Sequence, residues 1–353
     1  MRTIVFIFLL CIVSGATLKG QEKSKRDTLN FQFEGKTLSG YIDMPRAAEP
    51  SALVILIPGH GKTSFRDPSL YFDSLIYTFR EAGLAVFRWD RAGCGNSEGS
   101  YHHNQTVQSS AEEALMAIEE LKRRNVPGSE RIGLWGLSRG GYICPLIIQR
   151  YRPIAFWISV SGTDGLNSWD YMFESNMRFA GKTAAEAELL LSEYLNGLVV
   201  MERGGSYEEY LVARQHLLKD SFCISYLGLK APTPESYKKD QAAVMADLSY
   251  ERDPKSKSVI VVPKFKKVLT KIPCPVLAIF GEKDFIVDWQ KTKALYENTI
   301  SKKKLTTMTF HDGNHGLLKC KTGAANEKLE TFEFCDGYFD TITQWLVQEG
   351  FAR

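Results

Sequence analysis

Short, mostly apolar stretches recur along the chain at residues 52–57, 84–89, 131–137, 154–160 and 275–280, and a last strand is expected over 305–310. Runs of this length without polar alternation suit strands buried on both faces. Between them lie segments with an apolar residue every three or four positions. Residues 71–82 carry Phe72, Leu75, Ile76 and Phe79 and stop at Gly83, and residues 106–124 set Ala114, Leu115, Ile118 and Leu121 on one face. Residues 288–298 and 331–348 read as further helices. Strands alternating with helices imply right-handed crossovers and a largely parallel sheet covered on both faces.

Two segments break this rhythm. Residues 28–44 alternate as a β-hairpin that turns at Glu34-Gly35-Lys36, and residues 45–50 link it to the first buried run. From Thr163 to about Lys271 the pattern is mainly helical, with helices expected over 183–198 and 208–218. This segment is rich in aromatic residues (Trp169, Tyr171, Phe173, Phe179, Tyr194, Phe222), which suit either an apolar substrate pocket or the segment's own small core. The expected organisation is an α/β core formed by 28–162 and 272–353, interrupted by a helical insertion at 163–271.

At the N-terminus, Met1-Arg2 precede an apolar run over 4–13 and the small residues Ser14-Gly15-Ala16. A positive start, a short apolar stretch and a small-residue cleavage site describe a secretory signal peptide, here 1–20, with cleavage after Ala16 or Gly20. The run is too short to span a bilayer, so the mature chain is expected without a stable membrane span and exported to the periplasm or beyond. Cys11 lacks the small residues before it that lipid attachment would need.

Composition narrows the picture further. The chain has 353 residues, 44% hydrophobic and 24% charged, with a net charge of +3. That is an ordinary globular balance, too weakly basic to argue for a nucleic-acid partner. No Cys or Cys/His spacing suggests a metal. In an exported protein Cys320 and Cys335 are the first pair to test for a disulfide, although buried free thiols fit as well.

The chemistry centres on Gly136-Leu137-Ser138-Arg139-Gly140, which follows an apolar strand and opens a helix. In that context Gly-x-Ser-x-Gly marks a nucleophile held on a strained turn. A serine nucleophile needs a base, a carboxylate to orient the base, and donors for an oxyanion. Asp284, in Gly281-Glu282-Lys283-Asp284 after a strand, is the candidate acid, with Glu282 and Asp288 behind it. Asp288 reads better as the N-cap of the next helix. His315, in Asp312-Gly313-Asn314-His315-Gly316 after the last strand, is the candidate base. His311 is its near competitor, while His102, His103 and His216 have loop or helix-surface readings. The oxyanion donors are backbone N–H groups: Arg139, next to the nucleophile, and His60 in the loop Pro58-Gly59-His60-Gly61, with Gly61 as the alternative.

These residues, together with Asp90-Arg91-Ala92-Gly93-Cys94-Gly95-Asn96-Ser97, resemble the α/β-hydrolase superfamily from about Thr28 to the C-terminus. Within it the chain is most similar to bacterial carboxylesterases with a helical cap, a group that shades into serine aminopeptidases and acyl thioesterases. The resemblance implies a Ser138–His315–Asp284 triad, no cofactor, and the insertion as the family's variable cap. It departs from many relatives at Pro58, where they carry His, and at Cys94. The glycines after Asp90 do not make a dinucleotide site, because the third comes one residue late and no helix opens there. Cleavage of a small-molecule carboxylic ester is thus the first expectation. Amide or thioester cleavage by the same triad is the second, and a non-catalytic binding protein on this fold the third.

Overall fold

A computed structural model of the chain describes residues 26–46, 49–65, 69–102, 105–228, 230–246, 251–254, 256, 258–324 and 326–352. The N-terminal segment read as a signal peptide, Cys11 and His103 lie outside the described residues. Among those described, no helix is long and apolar enough to cross a membrane.

An eight-stranded sheet organises the larger part of the chain. It runs β1 (Arg26–Phe33), β2 (Lys36–Asp43), β3 (Leu53–Ile57), β4 (Ala85–Trp89), β5 (Ile132–Leu137), β6 (Phe156–Val160), β7 (Val276–Gly281) and β8 (Leu305–Phe310), in the spatial order β1-β2-β4-β3-β5-β6-β7-β8. From β4 to β8 all neighbours are parallel, and the hairpin β1–β2 is antiparallel and attached through β2 to β4. The hairpin turns at Glu34 and Gly35, both at positive φ (48° and 71°), the backbone a tight two-residue turn requires. Asp43 on β2 is ion-paired with Arg88 on β4, both almost fully buried, which joins the hairpin to the parallel sheet.

The helices follow the apolar spacing. In chain order they are α1 (Leu70–Glu81), α2 (Val107–Arg123), α3 (Gly140–Arg150), α4 (Trp169–Phe179), α5 (Ala184–Glu202), α6 (Tyr207–Ala213), α7 (Ser221–Leu227), α8 (Pro234–Ala246), α9 (Phe265–Leu269), α10 (Trp289–Thr299) and α11 (Tyr338–Gln348). Thr106 caps α2 by accepting the Ser109 N–H, and Thr183 with Glu186 forms a reciprocal capping box on α5. On β3, Leu53, Ile55 and Ile57 pack with α2, α3 and α9, while Val54 and Leu56 pack with α1 and α11. The unbroken apolar run therefore marks a strand covered on both faces. Each such side chain contributes about 1.5–3 kcal/mol by leaving water.

The chain divides into two compact units. One holds the sheet and comprises residues 21–165, 261–323 and 329–353; the other is Leu166–Ile260 with Ala324–Lys328. Residues 261–271, which the sequence pattern grouped with the insertion, fall in the sheet unit, where Val262, Phe265, Val268 and Leu269 join the core. In the inserted unit, Leu166 bridges to Ile260, so the insertion leaves and returns at one place. Trp169, Phe173, Tyr194 and Phe222 belong to its own core, whereas Phe179 is exposed. Phe173, Met177, Leu190 and Leu217 are buried together, with Trp169 edge-on to Phe173 at 5.5 Å.

Two expected helix boundaries are corrected. The helix expected over 208–218 stops at Ala213, because Arg214 turns inward to donate to Tyr210 Oη and Tyr194 O, both at 2.8 Å, and lies between their rings. The closing helix begins at Tyr338 rather than 331, after Gly337 at φ 78°. Residues 333–335 instead pair strand-like with 317–319, through Lys319 N–H to Glu333 O and Cys335 N–H to Leu317 O. Of the two readings left open for Cys320 and Cys335, free thiols are found, with no disulfide between them. The Cys335 thiol is buried, and Cys320 Sγ lies 3.4 Å from Asp312 O.

Candidate active site

In a parallel sheet all strands end on one edge, so the loops after β3, β5, β7 and β8 lie along that edge. Each carries one part of the expected machinery.

Ser138 follows the last residue of β5 at φ 54°, a left-handed conformation costing a non-glycine residue about 1–3 kcal/mol. It is held by its N–H on Val160 O (2.9 Å) and by its carbonyl accepting the Gly141 N–H (2.7 Å). The turn is tight enough to exclude side chains nearby. A Cβ on Gly136 would sit 2.6 Å from Cys144 Sγ, and one on Gly140 would meet Ile57 O at 3.0 Å. The helix opening at Gly140 directs its positive end toward the serine.

The loop after β3 reaches the same point. A Cβ on Gly59 would lie 3.3 Å from Ser138 Cβ, so this backbone rests directly beside the nucleophile. His60 follows with an exposed side chain, then Gly61 at φ 109°. Arg139 N–H has no acceptor among the described residues, which leaves it available to an oxyanion. The Arg139 side chain is engaged instead: Nη1 donates to Ser110 Oγ at 3.0 Å and Nη2 to Gln105 O. Burial and the neighbouring Arg91 charge bring its guanidinium down to about 10.

Asp284 and His315 are brought together after β7 and β8. His315 Nδ1 lies 2.8 Å from Asp284 Oδ2, with residue exposures of 8% and 1%. Asp284 Oδ1 accepts the N–H groups of Ile286 and Val287, both at 2.9 Å, which fixes the carboxylate. An ionised carboxylate only accepts, so Nδ1 carries the proton and Nε2 keeps its lone pair, an assignment made from the hydrogen-bond pattern. The strand end touches the histidine loop because residue 281 is glycine. A Cβ there would sit 2.3 Å and 2.4 Å from the carbonyl oxygens of Gly313 and Asn314. Among the described residues no hydrogen bond joins the Ser138 hydroxyl to His315; such catalytic contacts often tighten only with substrate bound.

The competitors take other roles. His311 is exposed and pairs with Glu282 at 3.1 Å, which holds the Glu282 carboxyl below its usual range. Asp288 caps α10 through the Lys291 N–H at 2.9 Å. His216 pairs with Glu193 in the inserted unit, and His102 is exposed. Two residues escaped the sequence reading. Asn314 Oδ1 accepts the Gly316 and Leu318 N–H groups at 2.8 and 3.1 Å and so shapes the histidine loop. An asparagine among glycines before a histidine is an Asx-turn signal that could have marked it. Gln105 carried no local signal.

A family model described as serine aminopeptidase S33 matches residues 48–195, and one described as serine hydrolase (FSH1) matches residues 197–317. An uncharacterized 31.7 kDa protein of Escherichia coli, in the traX-finO intergenic region, is 24% identical over 70% of this chain and 78% of its own length. Among solved structures, proline iminopeptidase of Mycobacterium smegmatis superposes with a TM-score of 0.53 at 18% identity, covering 92% of this chain and 98% of that one. Est1E of Butyrivibrio proteoclasticus, solved also with ferulic acid, gives 0.50 at 15% identity over 91% and 98%. Strand order and the nucleophile turn are those of the α/β-hydrolase fold that these solved structures share, and the two family models, matched over separate parts of the chain, both describe serine hydrolases.

Proposed function

We propose that the protein is a serine hydrolase that cleaves small-molecule carboxylic esters through an acyl-enzyme. Ser138 Oγ attacks the ester carbonyl while His315 Nε2 takes its proton. Asp284 holds the ring and stabilises the imidazolium. The tetrahedral oxyanion sits between the Arg139 and His60 N–H groups. The alcohol leaves with the proton from His315, and a water activated by the same nitrogen releases the acid from Ser138. The carrying observation is the buried His315–Asp284 pair at the strand edge where Ser138 sits at φ 54°. Hydrolysis of para-nitrophenyl acetate and labelling by a fluorophosphonate test it. Both are expected in the wild type and absent in Ser138→Ala, and ester turnover surviving that substitution overturns the proposal.

A second reading, release of an N-terminal amino acid, is favoured by the aminopeptidase model matched over 48–195. It requires a carboxylate for the substrate ammonium. Two carboxylates of the insertion, Glu186 and Glu209, are committed to capping boxes. A panel of aminoacyl para-nitroanilides against simple esters separates the two. In either case we place the mature enzyme outside the cytoplasm. An N-terminus at Met1 in protein recovered from the native cell would contradict that.

A further inference from the structure

Two donors form the proposed oxyanion hole, and they come from different loops. Their spacing must be held to a fraction of an ångström, because preorganised donors act only where charge develops. The pairing of β3 with β5 aligns the two segments as far as Ile57 and Gly136, and beyond it Gly59 lies beside Ser138, where an added Cβ would stand 3.3 Å from the Ser138 Cβ. Behind both loops, one side-chain connection from each meets at the same residue.

On the β3-loop side, Gly61 O accepts Arg91 Nη1 at 2.8 Å. Arg91 is nearly buried and lies over the Tyr101 ring at 5.5 Å. Its Nη2 donates to Gln105 Oε1 at 2.9 Å. On the nucleophile side, Arg139 Nη2 donates to the backbone carbonyl of the same Gln105. Gln105 in turn is anchored. Its Nε2 donates to Glu113 Oε2 at 2.8 Å and to Ser109 Oγ at 3.3 Å. Glu113 is buried, and its other oxygen takes the Trp89 indole N–H. Gln105 also immediately precedes the Thr106 cap, so it moves with the rigid start of α2.

We infer that Gln105 is a positioning residue that holds the two halves of the oxyanion hole in register, with its side chain tied through Arg91 to the His60 loop and its carbonyl tied through Arg139 to the nucleophile turn. The inference rests on the serine-hydrolase reading above. An amide suits the post because it accepts toward a guanidinium and donates toward a carboxylate at once, which neither Glu nor Met can do. The forked guanidinium of Arg91 likewise reaches two acceptors in fixed geometry, where a lysine ammonium would not.

Steady-state hydrolysis of para-nitrophenyl acetate tests this, together with inhibition by a trifluoromethyl ketone whose serine adduct places an oxyanion in the hole. Gln105→Met is expected to lower kcat about 10- to 100-fold with KM within about threefold, and to weaken the ketone by the same factor as kcat. Gln105→Glu keeps an acceptor for Arg91 but sets a second carboxylate against Glu113, so it is expected to lose kcat like Gln105→Met. Arg91→Lys should lose kcat like Gln105→Met, and it carries the test if the Met variant does not fold. A melting temperature lowered with kcat and ketone affinity intact would assign Gln105 a purely structural role and overturn the inference. Ser138→Ala in the same assay keeps the two readings apart. If it is inactive while Gln105→Met and Arg91→Lys turn over like the wild type, only the positioning role fails; if it is active, the nucleophile assignment fails first.

Discussion

Gly59→Ala places a methyl group against the nucleophile while leaving the fold nearly untouched. Gly59 does not hold a left-handed φ, in contrast to Gly61, so alanine adopts its backbone conformation without strain. The added Cβ would stand 3.3 Å from Ser138 Cβ and 3.5 Å from Leu137 O. Ordinary contact between two carbons is about 3.5–4.0 Å, so loop and nucleophile must separate by a few tenths of an ångström. The unfolded chain loses freedom on gaining a Cβ, a stabilising effect of about 0.4–1 kcal/mol that offsets the crowding. Net stability should therefore change by less than about 1 kcal/mol, equivalent to a melting-temperature shift of about 3 °C or less for a chain of this size.

Catalysis should respond far more. A misplacement of 1 Å costs about 10²-fold. A shift of half that size, opening the gap between the β3 loop and Ser138, should cost about 10-fold in kcat, or about 1.4 kcal/mol of transition-state stabilisation. KM for a small ester should move less, because the ground-state carbonyl does not yet need both donors. The assay is kcat and KM on para-nitrophenyl acetate beside a thermal melt of the same preparation. A variant with wild-type kcat would place the reacting carbonyl away from the Gly59–Ser138 contact and refute the assignment of the β3 loop to the oxyanion hole.

Two other outcomes follow from the geometry. Asp284→Asn keeps an acceptor for the Ile286 and Val287 N–H groups but can turn an amide N–H toward His315 Nδ1, which favours the wrong tautomer; kcat should fall on the order of 10⁴-fold with the melt little changed. A stable variant with near wild-type kcat would remove Asp284 from the machinery. Glu120 on α2 is bonded by Arg123 and Arg124, which hold its carboxyl down to about 2. A depressed carboxyl contributes stability that is complete above its unfolded value and lost as pH falls through the folded one. The stability gap between wild type and Glu120→Gln should thus be full at pH 7, about 0.5–1 kcal/mol given the exposed arginines, and close as pH falls from about 4.5 toward 2. A gap constant over that range, followed by chemical denaturation, would count against the pairing.

Elements whose cause is local were legible before any coordinates. The β3 run, the Asp288 cap and the strand–turn–helix around Ser138 are written in residues within one turn of each other. Where the reading failed, a distant partner decided. Residues 331–337 have helical spacing, yet Glu333 and Cys335 find backbone partners in the loop that carries His315, and Gly337 then starts the helix late. The aromatics of the insertion are equally ambiguous in one dimension, since a pocket lining and a small core have the same composition. Mutual packing of Trp169, Phe173 and Tyr194 identifies the core.

Arg139 shows both cases in one residue. Its N–H role follows from sequence position alone, because the residue after a nucleophile on such a turn must present its amide to the reacting carbonyl. By the same logic its side chain looks replaceable. The side chain is nevertheless engaged, for a tertiary reason. The buried face of α2 is small, with Ala111, Ala114 and Ala117 fully covered in the cluster that also holds Tyr142, Ile143 and Ile147 of α3, so the two helices can approach closely. Close approach carries the start of α2 to the nucleophile turn, where Ser110 and the carbonyl of Gln105 become the acceptors of the Arg139 guanidinium. The backbone function and the side-chain function are thus not independent. The guanidinium ties the turn from behind while the amide, in the proposed mechanism, is turned to the substrate, and the alanines on α2 belong to the same arrangement.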